Sequence, residues 1–306
     1  MIPVAIAFTP NYFVPAATML HSLFRHADSG QQYCVYCLES QEIPQHQKVM
    51  LEQLSCGRNV SYTFIKVNSL PPGTSISNRY SEAALYRLML PELLPDIDRI
   101  LYLDSDIIIR RDVAKIFTET DMTGMLLAAI AEPPIEDQRQ KRLDMGLDPC
   151  QYFNSGFLIL NLELMRMESS SAAMLDLLKD DKLEFPDQDA LNIVCKGRVR
   201  FIPPCNNSIR TFFIEKYRQA FLDMYSDQDL DQVLVHGNIH YTGGKPWNMH
   251  TVQFRQWWDE YEMLPASIKT EWSPSRKILA LANFCSTKFG QITIELARKA
   301  KSAVSR

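Results

Sequence analysis

Segments with strand and helix patterns alternate along the first third of the chain, and this order restricts the fold more than any other feature. Strands are expected at 3–8, 32–38, 59–66 and 99–104, and helices at 12–25, 43–55 and 80–92. Residues Ile100 to Leu103 are wholly apolar, which is typical of a strand buried on both faces. The alternation predicts a mostly parallel sheet flanked by helices, with ligands bound at the carboxyl ends of the strands.

The second half of the chain continues this pattern without an internal repeat or a low-complexity linker. Further strands are expected at 125–131 and 156–162, and helices at 163–179 and 186–196. We therefore expect one α/β catalytic domain over 1–262, followed by a basic amphipathic tail over 263–306. The composition, 46% hydrophobic and 22% charged, is that of a globular protein, and the net charge of -4 does not indicate nucleic-acid binding.

The N-terminus and the cysteines bear on the cellular compartment. No basic segment precedes the first apolar residues, and no run of about 18 apolar residues is present, so neither a signal peptide nor a spanning helix is expected. Seven cysteines occur at scattered spacings. Cys34 and Cys37 form a Cys-x-x-Cys pair, but in a strand their odd spacing directs them to opposite faces, and no second pair completes a zinc site. We expect buried free thiols and a cytoplasmic location.

An Asp-x-Asp pair follows the apolar strand directly. Asp104 and Asp106 are two residues apart, so in an extended chain their carboxylates face the same way and can converge on one hard cation. A capped turn or a solvated pair is the alternative interpretation of an isolated Asp-x-Asp. The position at the end of a buried strand favours a metal site.

Two further polar segments adjoin expected elements. Asn154 and Gly156 precede the strand at 156–162, where the glycine permits a close backbone approach; a simple turn is the alternative. The triplet at 187–189, Asp-Gln-Asp, follows a proline at a helix start, where acidic residues also satisfy free backbone amides. Neither segment is specific by itself.

The segment His240 to Trp247 combines a metal ligand with phosphate-binding groups. A neutral imidazole at His240 can complete an oxygen-rich site and shifts its preference from Mg²⁺ towards Mn²⁺. The glycines at 243 and 244 let the backbone approach phosphate oxygens, and Lys245 supplies a positive charge for them.

These motifs occur together in one order. The chain contains Phe-Thr-Pro-Asn-Tyr at 8–12, Leu-Asp-Ser-Asp at 103–106, Phe-Asn-Ser-Gly at 153–156, Asp-Gln-Asp at 187–189 and His-Tyr-Thr-Gly-Gly-Lys-Pro-Trp at 240–247. Over residues 3–250 it resembles glycosyltransferase family 8, the retaining GT-A-fold enzymes that include glycogenin and bacterial lipopolysaccharide galactosyl- and glucosyltransferases.

The resemblance implies a GT-A fold and a UDP-hexose donor whose diphosphate is bridged by Mn²⁺, with Mg²⁺ as the other candidate ion. Asp104, Asp106 and His240 would ligate this metal. The catalytic residues would be Gln188, Asp187 and Asn154, with Gln188 closest to the reacting carbon. Donor binding would fall to Ala7, Thr9, Asn11, Tyr12, Arg79, Arg87, Asp104, Ser105, Glu132, Gly243 and Lys245.

From the resemblance we expect a hexosyltransferase that moves glucose or galactose onto lipopolysaccharide or another cell-surface saccharide. The preferred mechanism is attack by the acceptor on the face that the leaving group departs from, because the nearest candidate nucleophile, Gln188, is an amide. Acceptor contacts are expected in 132–151 and 205–230. Two alternatives stay open: a metal-dependent nucleotide-sugar hydrolase, and a sugar-nucleotide- or glycan-binding protein without catalysis.

The tail over 268–306 is basic and amphipathic. Its apolar residues recur at three- and four-residue steps and form one helical stripe, composed of Ile278, Leu281, Cys285, Phe289, Ile292 and Leu296. This pattern favours a helix lying on an anionic membrane surface, at the inner face of the cytoplasmic membrane. A helix packed on the catalytic domain with a solvated basic face is the alternative.

Overall fold

A seven-stranded mixed sheet and a small three-stranded sheet organise the described part of the chain. The structure, a computed structural model, describes residues 1–67, 70, 82–179, 183–290 and 292–293. The strands are β1 (Ile2–Phe8), β2 (Gln32–Glu39), β3 (Asn59–Lys66), β4 (Arg99–Leu103), β5 (Ile107–Ile108), β6 (Leu127–Ala129), β7 (Phe157–Asn161), β8 (Val199–Phe201), β9 (Ser208–Ile209) and β10 (Ile239–His240).

Helices pack around both sheets. They are α1 (Phe13–Arg25), α2 (Gln45–Gln53), α3 (Leu90–Leu93), α4 (Ala114–Glu119), α5 (Gln138–Asp144), α6 (Leu162–Met167), α7 (Ser170–Leu177), α8 (Pro186–Val194), α9 (Arg218–Leu222), α10 (Asp227–His236), α11 (Phe254–Glu262), α12 (Ala266–Lys269) and α13 (Arg276–Ser286). Short 3-10 helices cover Pro10–Tyr12, Glu82–Met89, Pro204–Asn206, Arg210–Phe213 and Glu215–Tyr217.

The large sheet has the order β3-β2-β1-β4-β7-β6-β8. Strands β3, β2, β1 and β4 are mutually parallel, β6 and β8 are parallel, and β7 is antiparallel to both of its neighbours. The prediction of a mostly parallel sheet is therefore confirmed. The chain leaves β1 first towards β2 and later returns to its other side as β4, so the topological switch lies between β1 and β4.

The hydrophobic core lies on both faces of this sheet, and β4 contributes to each. Leu101 and Leu103 belong to one buried cluster, whereas Ile100 and Tyr102 belong to the other. The two-residue period of a strand places alternate side chains on opposite faces. The wholly apolar pattern of β4 thus reflects burial on both sides, as the sequence predicted.

The small sheet connects the Asp-x-Asp segment to the histidine segment. Strand β5 begins one residue after Asp106, and β10 pairs with it in antiparallel register so that His240 lies opposite Ile107. The backbone N–H of Tyr241 also donates to the carbonyl of Asp106 at 3.1 Å. Residues more than 130 positions apart in the sequence are brought together by this pairing.

Two expected helices differ from the structure. Residues 82–89 form a 3-10 helix and only Leu90–Leu93 is α-helical, while residues 80 and 81 lie outside the described residues. The single helix expected over 163–179 is two helices, α6 and α7, separated by Ser169 at φ 54°. The break lets α6 contact α3 while α7 packs on α8.

The first part of the tail packs on the protein. Ile278, Ala282 and Cys285 on α13 are buried in the same cluster as α11, and the ring of Trp272 lies edge-on to Trp257 at 5.9 Å. Helix α13 ends at Ser286, and residues 294–306 lie outside the described residues. The domain boundary after 262 stays a prediction. In the described ranges, no helix combines the length and apolarity needed to cross a bilayer.

Candidate active site

A cleft of about 1180 Å³ opens at the topological switch. Ala7 and Phe8 at the end of β1 line it, as does Asp104 directly after β4. Because β7 runs antiparallel to β4, the segment that precedes β7 lies at the same edge, and the N–H of Asp104 donates to the carbonyl of Gly156 at 2.8 Å. The fold therefore gathers the predicted motifs around one opening.

Asp104, Asp106 and His240 form a cluster whose ligand atoms lie within 4.8 Å of one another. His240 Nε2 is 3.1 Å from Asp106 Oδ1 and 3.6 Å from Asp104 Oδ2. Asp106 Oδ1 is buried and has no hydrogen-bond partner among the described residues. An orphaned carboxylate oxygen facing an imidazole nitrogen and a second carboxylate is the donor set of a divalent cation, so these residues fit the expected metal.

Two cations compensate the carboxylates. Lys245 Nζ contacts Asp106 Oδ2 and donates to the carbonyl of Tyr241 at 2.7 Å. Burial alone would raise the pKa of Asp106, but the charge of Lys245 and its hydrogen bond to this carboxylate lower it. On the other side, Arg87 donates to Asp104 Oδ1 at 2.8 Å. The carboxylate of Asp106 is therefore held ionised, the form that ligates metals.

Arg87 connects Asp104 to the Asp-Gln-Asp segment at the start of α8. Its Nε lies 3.3 Å from Asp187 Oδ2, which also accepts a hydrogen bond from Ser155 Oγ at 2.8 Å. Burial opposes the guanidinium charge, but the carboxylate of Asp104, the Tyr102 hydroxyl and Asp187 raise the pKa of Arg87. Burial in turn raises the pKa of Asp187, although Arg87 opposes this.

A chain of amides runs from α8 towards the metal cluster. Gln188 Oε1 accepts from Asn154 Nδ2 at 2.9 Å and from the N–H of Ser155 at 3.2 Å. Gln188 Nε2 donates to the hydroxyl of Tyr152, which donates to Asp189 Oδ1 at 2.5 Å. The position of Gln188 is thus fixed from both ends of its side chain.

Glu132 lies at the far wall of the cleft beside a buried arginine. Its carboxylate is 3.4 Å from Arg142 Nη2, and Arg142 stacks over the ring of Tyr152 at 4.3 Å. Burial raises the pKa of Glu132, while Arg142 lowers it. This carboxylate faces the same cavity as Gln188.

The remaining predicted residues occupy the β1 end of the cleft, with two exceptions. Thr9, Tyr12, Ser105 and Gly243 line the cavity together with Ala7. The ring of Tyr12 is 37% exposed and meets Trp247 edge-on at 5.9 Å. Asn11 is exposed and does not line the cavity, and Arg79 lies outside the described residues.

The structure also brings in residues that sequence reasoning missed. Tyr102 donates to Asp104 Oδ1 at 3.0 Å, and Asn207 contacts His240 Nδ1 through its Oδ1 at 3.0 Å. Ser155, Tyr152 and Arg142 complete the buried network. The Asn-Asn pair at 206–207 adjoins Ser208 and carries no pattern that could have indicated Asn207.

Residues 3–251 match the family model described as Glycosyl transferase family 8. The chain is 26% identical to general stress protein A of Bacillus subtilis (strain 168) over 79% of this chain and 85% of that protein. It is 31% identical to lipopolysaccharide 1,2-glucosyltransferase of Escherichia coli (strain K12), over 55% of this chain and 50% of that protein. Lipopolysaccharide 1,3-galactosyltransferase of Salmonella typhimurium is 26% identical over 60% of this chain and 53% of its own length. The chain therefore spans about half the length of the two lipopolysaccharide enzymes.

Two solved structures share the fold. Galactosyltransferase LgtC, in complex with donor and acceptor sugar analogs, has a TM-score of 0.70 at 22% identity over 89% of this chain and 100% of that chain. The bifunctional glycosyltransferase WbbM has a TM-score of 0.70 at 25% identity over 88% of this chain and 51% of that chain. The prediction of a GT-A fold is confirmed. Since the family model also covers most of the sequence, the chain belongs to glycosyltransferase family 8, a family of enzymes that transfer glycosyl groups.

Proposed function

We propose that the protein transfers glucose or galactose from a UDP-sugar to a saccharide acceptor, with retention of configuration and with Mn²⁺ held by Asp104, Asp106 and His240. The observation that carries this proposal is the convergence of these ligand atoms around an orphaned oxygen of Asp106. A site of two carboxylates and one imidazole suits Mn²⁺ better than Mg²⁺, which prefers oxygen ligands alone.

The donor would occupy the cleft from the end of β1 to the start of α8. Ala7, Thr9 and Tyr12 would contact the uridine, and the half-exposed ring of Tyr12 is accessible for stacking on the base. Gly243, at φ 89°, would present its backbone to the diphosphate beside Lys245. Arg87, Ser105, Glu132 and the catalytic residues would surround the sugar, and roles for Asn11 and Arg79 remain predictions from the sequence.

A bound divalent ion would act as a Lewis acid towards the diphosphate of the leaving group. Lys245 would stabilise the negative charge that develops on UDP as the glycosidic bond breaks. The acceptor hydroxyl oxygen would bond to the anomeric carbon on the departing face, and its proton would pass to the diphosphate oxygen that leaves.

The hydrogen bonds of Asp187 and Gln188 support this route over a covalent glycosyl-enzyme. Asp187 Oδ2 is engaged by Ser155 Oγ and Arg87, and Gln188 Oε1 accepts two hydrogen bonds. A nucleophile needs a free lone pair aimed at the reacting carbon. Gln188 Oε1 and one oxygen of Asp187 are instead engaged in hydrogen bonds and an ion pair that hold the sugar end of the cleft in one shape.

The acceptor would approach from the opening beyond Gln188, where Lys141, Met145 and Phe185 line the cavity. The names of two relatives suggest a lipopolysaccharide as acceptor. Membrane contact would come from the exposed side of the tail, where Phe289 is 72% and Ile292 57% exposed. We propose that the protein works at the inner face of the cytoplasmic membrane with a glycolipid acceptor.

Thermal unfolding tests the donor site directly. A ligand that binds only the folded state stabilises it by about 2.7 kcal/mol at a hundredfold excess over its dissociation constant. We expect stabilisation by UDP-glucose or UDP-galactose that requires Mn²⁺ and is lost in Asp106→Ala, with GDP- and ADP-sugars inactive. No response to any nucleotide with any metal would reject the proposal.

The two alternatives are separated by product analysis. Release of hexose in the absence of a saccharide acceptor, at the same rate as with one, would favour a hydrolase. Donor that stays intact with Mn²⁺ and a broad acceptor panel, although it stabilises the fold, would favour a binding protein. Formation of a glycosylated acceptor with the α-anomeric configuration of the donor supports the transferase.

A further inference from the structure

The buried environment of His240 fixes which of its ring nitrogens carries a proton. Two backbone N–H groups next to Asn154 determine how the neighbouring side-chain amides are oriented, because a backbone N–H can only donate. The N–H of Gly156 donates to Asn154 Oδ1 at 3.1 Å, and the N–H of Ser155 donates to Gln188 Oε1 at 3.2 Å. The oxygens of both amides are therefore identified without reference to any ligand.

The direction of the next hydrogen bond follows from the first. Asn154 Oδ1 is an acceptor, so the atom of Asn207 that lies 2.8 Å from it must be the donating Nδ2. The other amide atom of Asn207, the oxygen, then faces His240 Nδ1 at 3.0 Å. An amide oxygen only accepts, so Nδ1 of the imidazole carries a proton, and in the neutral ring Nε2 then carries a lone pair.

This tautomer explains the orphaned oxygen in the metal cluster. Asp106 Oδ1 lies 3.1 Å from His240 Nε2 and yet makes no hydrogen bond among the described residues. Two lone pairs that face each other at this distance repel unless a cation lies between them. If Nε2 carried the proton, it would donate to Asp106 instead, and the two ligands would neutralise each other.

We propose that Asn207 is a positioning residue that holds His240 in the Nδ1-protonated tautomer and thereby keeps Nε2 available to a divalent cation. Asn207 is fully buried, and its amide is oriented through Asn154 from the backbone of Gly156. Asn154 thus serves two sites, because its Nδ2 also orients Gln188. This inference deepens the proposed function and rests on its metal site.

Residues that orient a metal ligand in this way typically change metal affinity by about 10–100-fold when they are removed. Asn207→Leu removes the acceptor at similar volume. Asn207→Asp keeps an oxygen facing Nδ1 but loses the Nδ2 donor to Asn154 Oδ1, so it tests the acceptor alone. Asn206→Leu is the matched control, since the Asn206 amide is also buried but donates to the carbonyl of Pro203 at 3.0 Å.

The first readout needs no metal. Long-range ¹⁵N–¹H correlation spectra of ¹⁵N-histidine protein, recorded on the alkaline side of the ordinary histidine pKa, report the tautomer of each neutral imidazole. The His240 signals are identified by their loss in His240→Asn. We expect the Nδ1–H form in the wild type, in Asn206→Leu and in Asn207→Asp, and a shift to the Nε2–H form in Asn207→Leu. An Nε2–H form in the wild type would overturn the inference.

The second readout is the affinity for Mn²⁺ alone, measured from the electron paramagnetic resonance signal of the free ion. We expect a loss of about 10–100-fold in Asn207→Leu and a change of no more than a few-fold in the other two variants. Equal Mn²⁺ affinity in folded Asn207→Leu and wild type would overturn the inference and leave the proposed function intact.

Wild-type protein that binds no Mn²⁺ would reject the proposed metal site, and the spectra would then decide the tautomer. If Asn207→Leu does not fold, the wild-type and Asn207→Asp spectra decide, and an Nε2–H form in either contradicts the role of Asn207.

Discussion

Gly156 leaves the space that two of the proposed metal ligands occupy. A Cβ at this position would lie 2.2 Å from His240 Cε1 and 2.8 Å from Asp104 Oδ2. We predict that Gly156→Ala displaces both side chains, lowers the affinity for Mn²⁺ by at least about tenfold and costs about 1–3 kcal/mol of stability through overpacking. Isothermal titration with Mn²⁺ and chemical unfolding measure the two effects.

Gly124→Ala separates this effect from backbone strain. Gly124 has φ 69°, and no atom lies within 4 Å of the place that an added Cβ would take, so its substitution strains the backbone without touching the cluster. We expect a loss of about 1 kcal/mol in stability and unchanged Mn²⁺ binding. Wild-type Mn²⁺ affinity in Gly156→Ala would show that the cluster is not the metal site.

Lys245 lies beside Asp106 Oδ2, the second oxygen of the carboxylate that a metal ion would ligate through Oδ1. Its ammonium contacts Asp106 Oδ2, and although burial opposes its charge, Asp106 raises the pKa of Lys245. Charges of the same sign repel each other at close range, so the Lys245 ammonium weakens the binding of a cation at Asp106 Oδ1. We predict that Lys245→Met binds Mn²⁺ alone roughly tenfold more tightly but binds the UDP-sugar in the presence of Mn²⁺ more weakly, because the phosphate contact is lost.

The diagnostic result is that Lys245→Met binds Mn²⁺ alone more tightly than the wild type and binds the UDP-sugar with Mn²⁺ more weakly. Lys141→Met is the control, since Lys141 lines the cleft but pairs with Glu184 at 3.0 Å and Asp137 at 2.9 Å, away from the cluster. Weaker binding of Mn²⁺ alone by Lys245→Met would argue that Lys245 supports the metal site rather than competing with it.

At the residue scale, sequence reasoning found the side chains that belong to recognisable motifs and missed those that hold them. The clustering of Asp104, Asp106 and His240 was predictable because a buried strand and a glycine-rich segment mark their places. Asn207 was not predictable, because its role depends on a 33-residue separation being closed by the pairing of β9 with β10. A single buried amide carries no pattern that distinguishes it from a core asparagine.

Helices α1 and α11 are joined by a buried charged pair far from the cleft. His21 Nδ1 contacts Glu260 Oε1 at 2.5 Å, and Arg25 Nη2 contacts Glu260 Oε2 at 2.8 Å. Burial alone would lower the pKa of His21, but its hydrogen bonds with Cys56 and Glu260 raise the pKa to about 9. The folded state therefore binds a proton more tightly than the unfolded state does.

The raised pKa of His21 predicts that the free energy of unfolding depends on pH. The contribution is fully present below the unfolded histidine pKa of about 6.5 and is lost as the pH rises through about 9, with a magnitude of at most roughly 3 kcal/mol. We predict that wild type loses this stability between about pH 6.5 and pH 9 in urea unfolding, while His21→Gln does not. His236→Gln, at an exposed histidine, should follow the wild type. Parallel profiles for wild type and His21→Gln would contradict the pairing.

The break between α6 and α7 costs free energy locally. Ser169 adopts φ 54° and ψ 35°, the left-handed conformation that glycine adopts without strain. We predict that Ser169→Gly stabilises the protein by about 0.5–1 kcal/mol in thermal unfolding. Ala173→Gly, at an exposed position inside α7, should destabilise it by a similar amount. A loss of stability in Ser169→Gly would mean that the turn is not strained.

At the scale of elements, periodicity predicted the strands better than the helices. Strands β1, β2, β3 and β4 lie within a residue of their expected ranges because each has a buried or, in β3, partly buried face that the pattern records. The expected helix at 163–179 failed at Ser169, since a serine in the left-handed region leaves no mark in a hydrophobic pattern. The 3-10 geometry over 82–89 likewise cannot be separated from an α-helix by periodicity, because both place apolar residues three apart.

At the scale of the whole molecule, the order of five motifs identified the family. The fold brings these motifs together around one cleft. The motifs do not identify the acceptor. The chain spans about half of the lipopolysaccharide 1,2-glucosyltransferase of Escherichia coli (strain K12) and of the 1,3-galactosyltransferase of Salmonella typhimurium, so the acceptors of these two enzymes cannot be assigned to it from the shared motifs. The features of the molecule that favour the proposed glycolipid acceptor are the far wall of the cleft and the exposed side of the tail.

Over the described residues up to 293, the tail has two sides, and only one of them packs on the rest of the protein. Ile278, Ala282 and Cys285 are buried against the protein, while Phe284 and Phe289 are 38% and 72% exposed and meet each other edge-on at 6.2 Å. Exposed Lys277 and Lys288 lie on the same segment. Large aromatic rings left in water next to cations are typical of a surface that inserts at the boundary of an anionic bilayer.

We predict that the double variant Phe284→Ser/Phe289→Ser binds vesicles containing anionic phospholipid at least about tenfold more weakly than the wild type in a sedimentation assay, since each ring contributes apolar area to the contact. Met167→Ser/Val235→Ser is the matched control, because these side chains are 75% and 54% exposed but lie outside the tail. Transfer to a soluble saccharide acceptor should be unchanged in both double variants, because α13 does not line the cleft. If the aromatic variant still bound the vesicles as tightly as wild type, the tail would be a packed helix with a solvated basic face, and the glycolipid acceptor would have to be presented in another way.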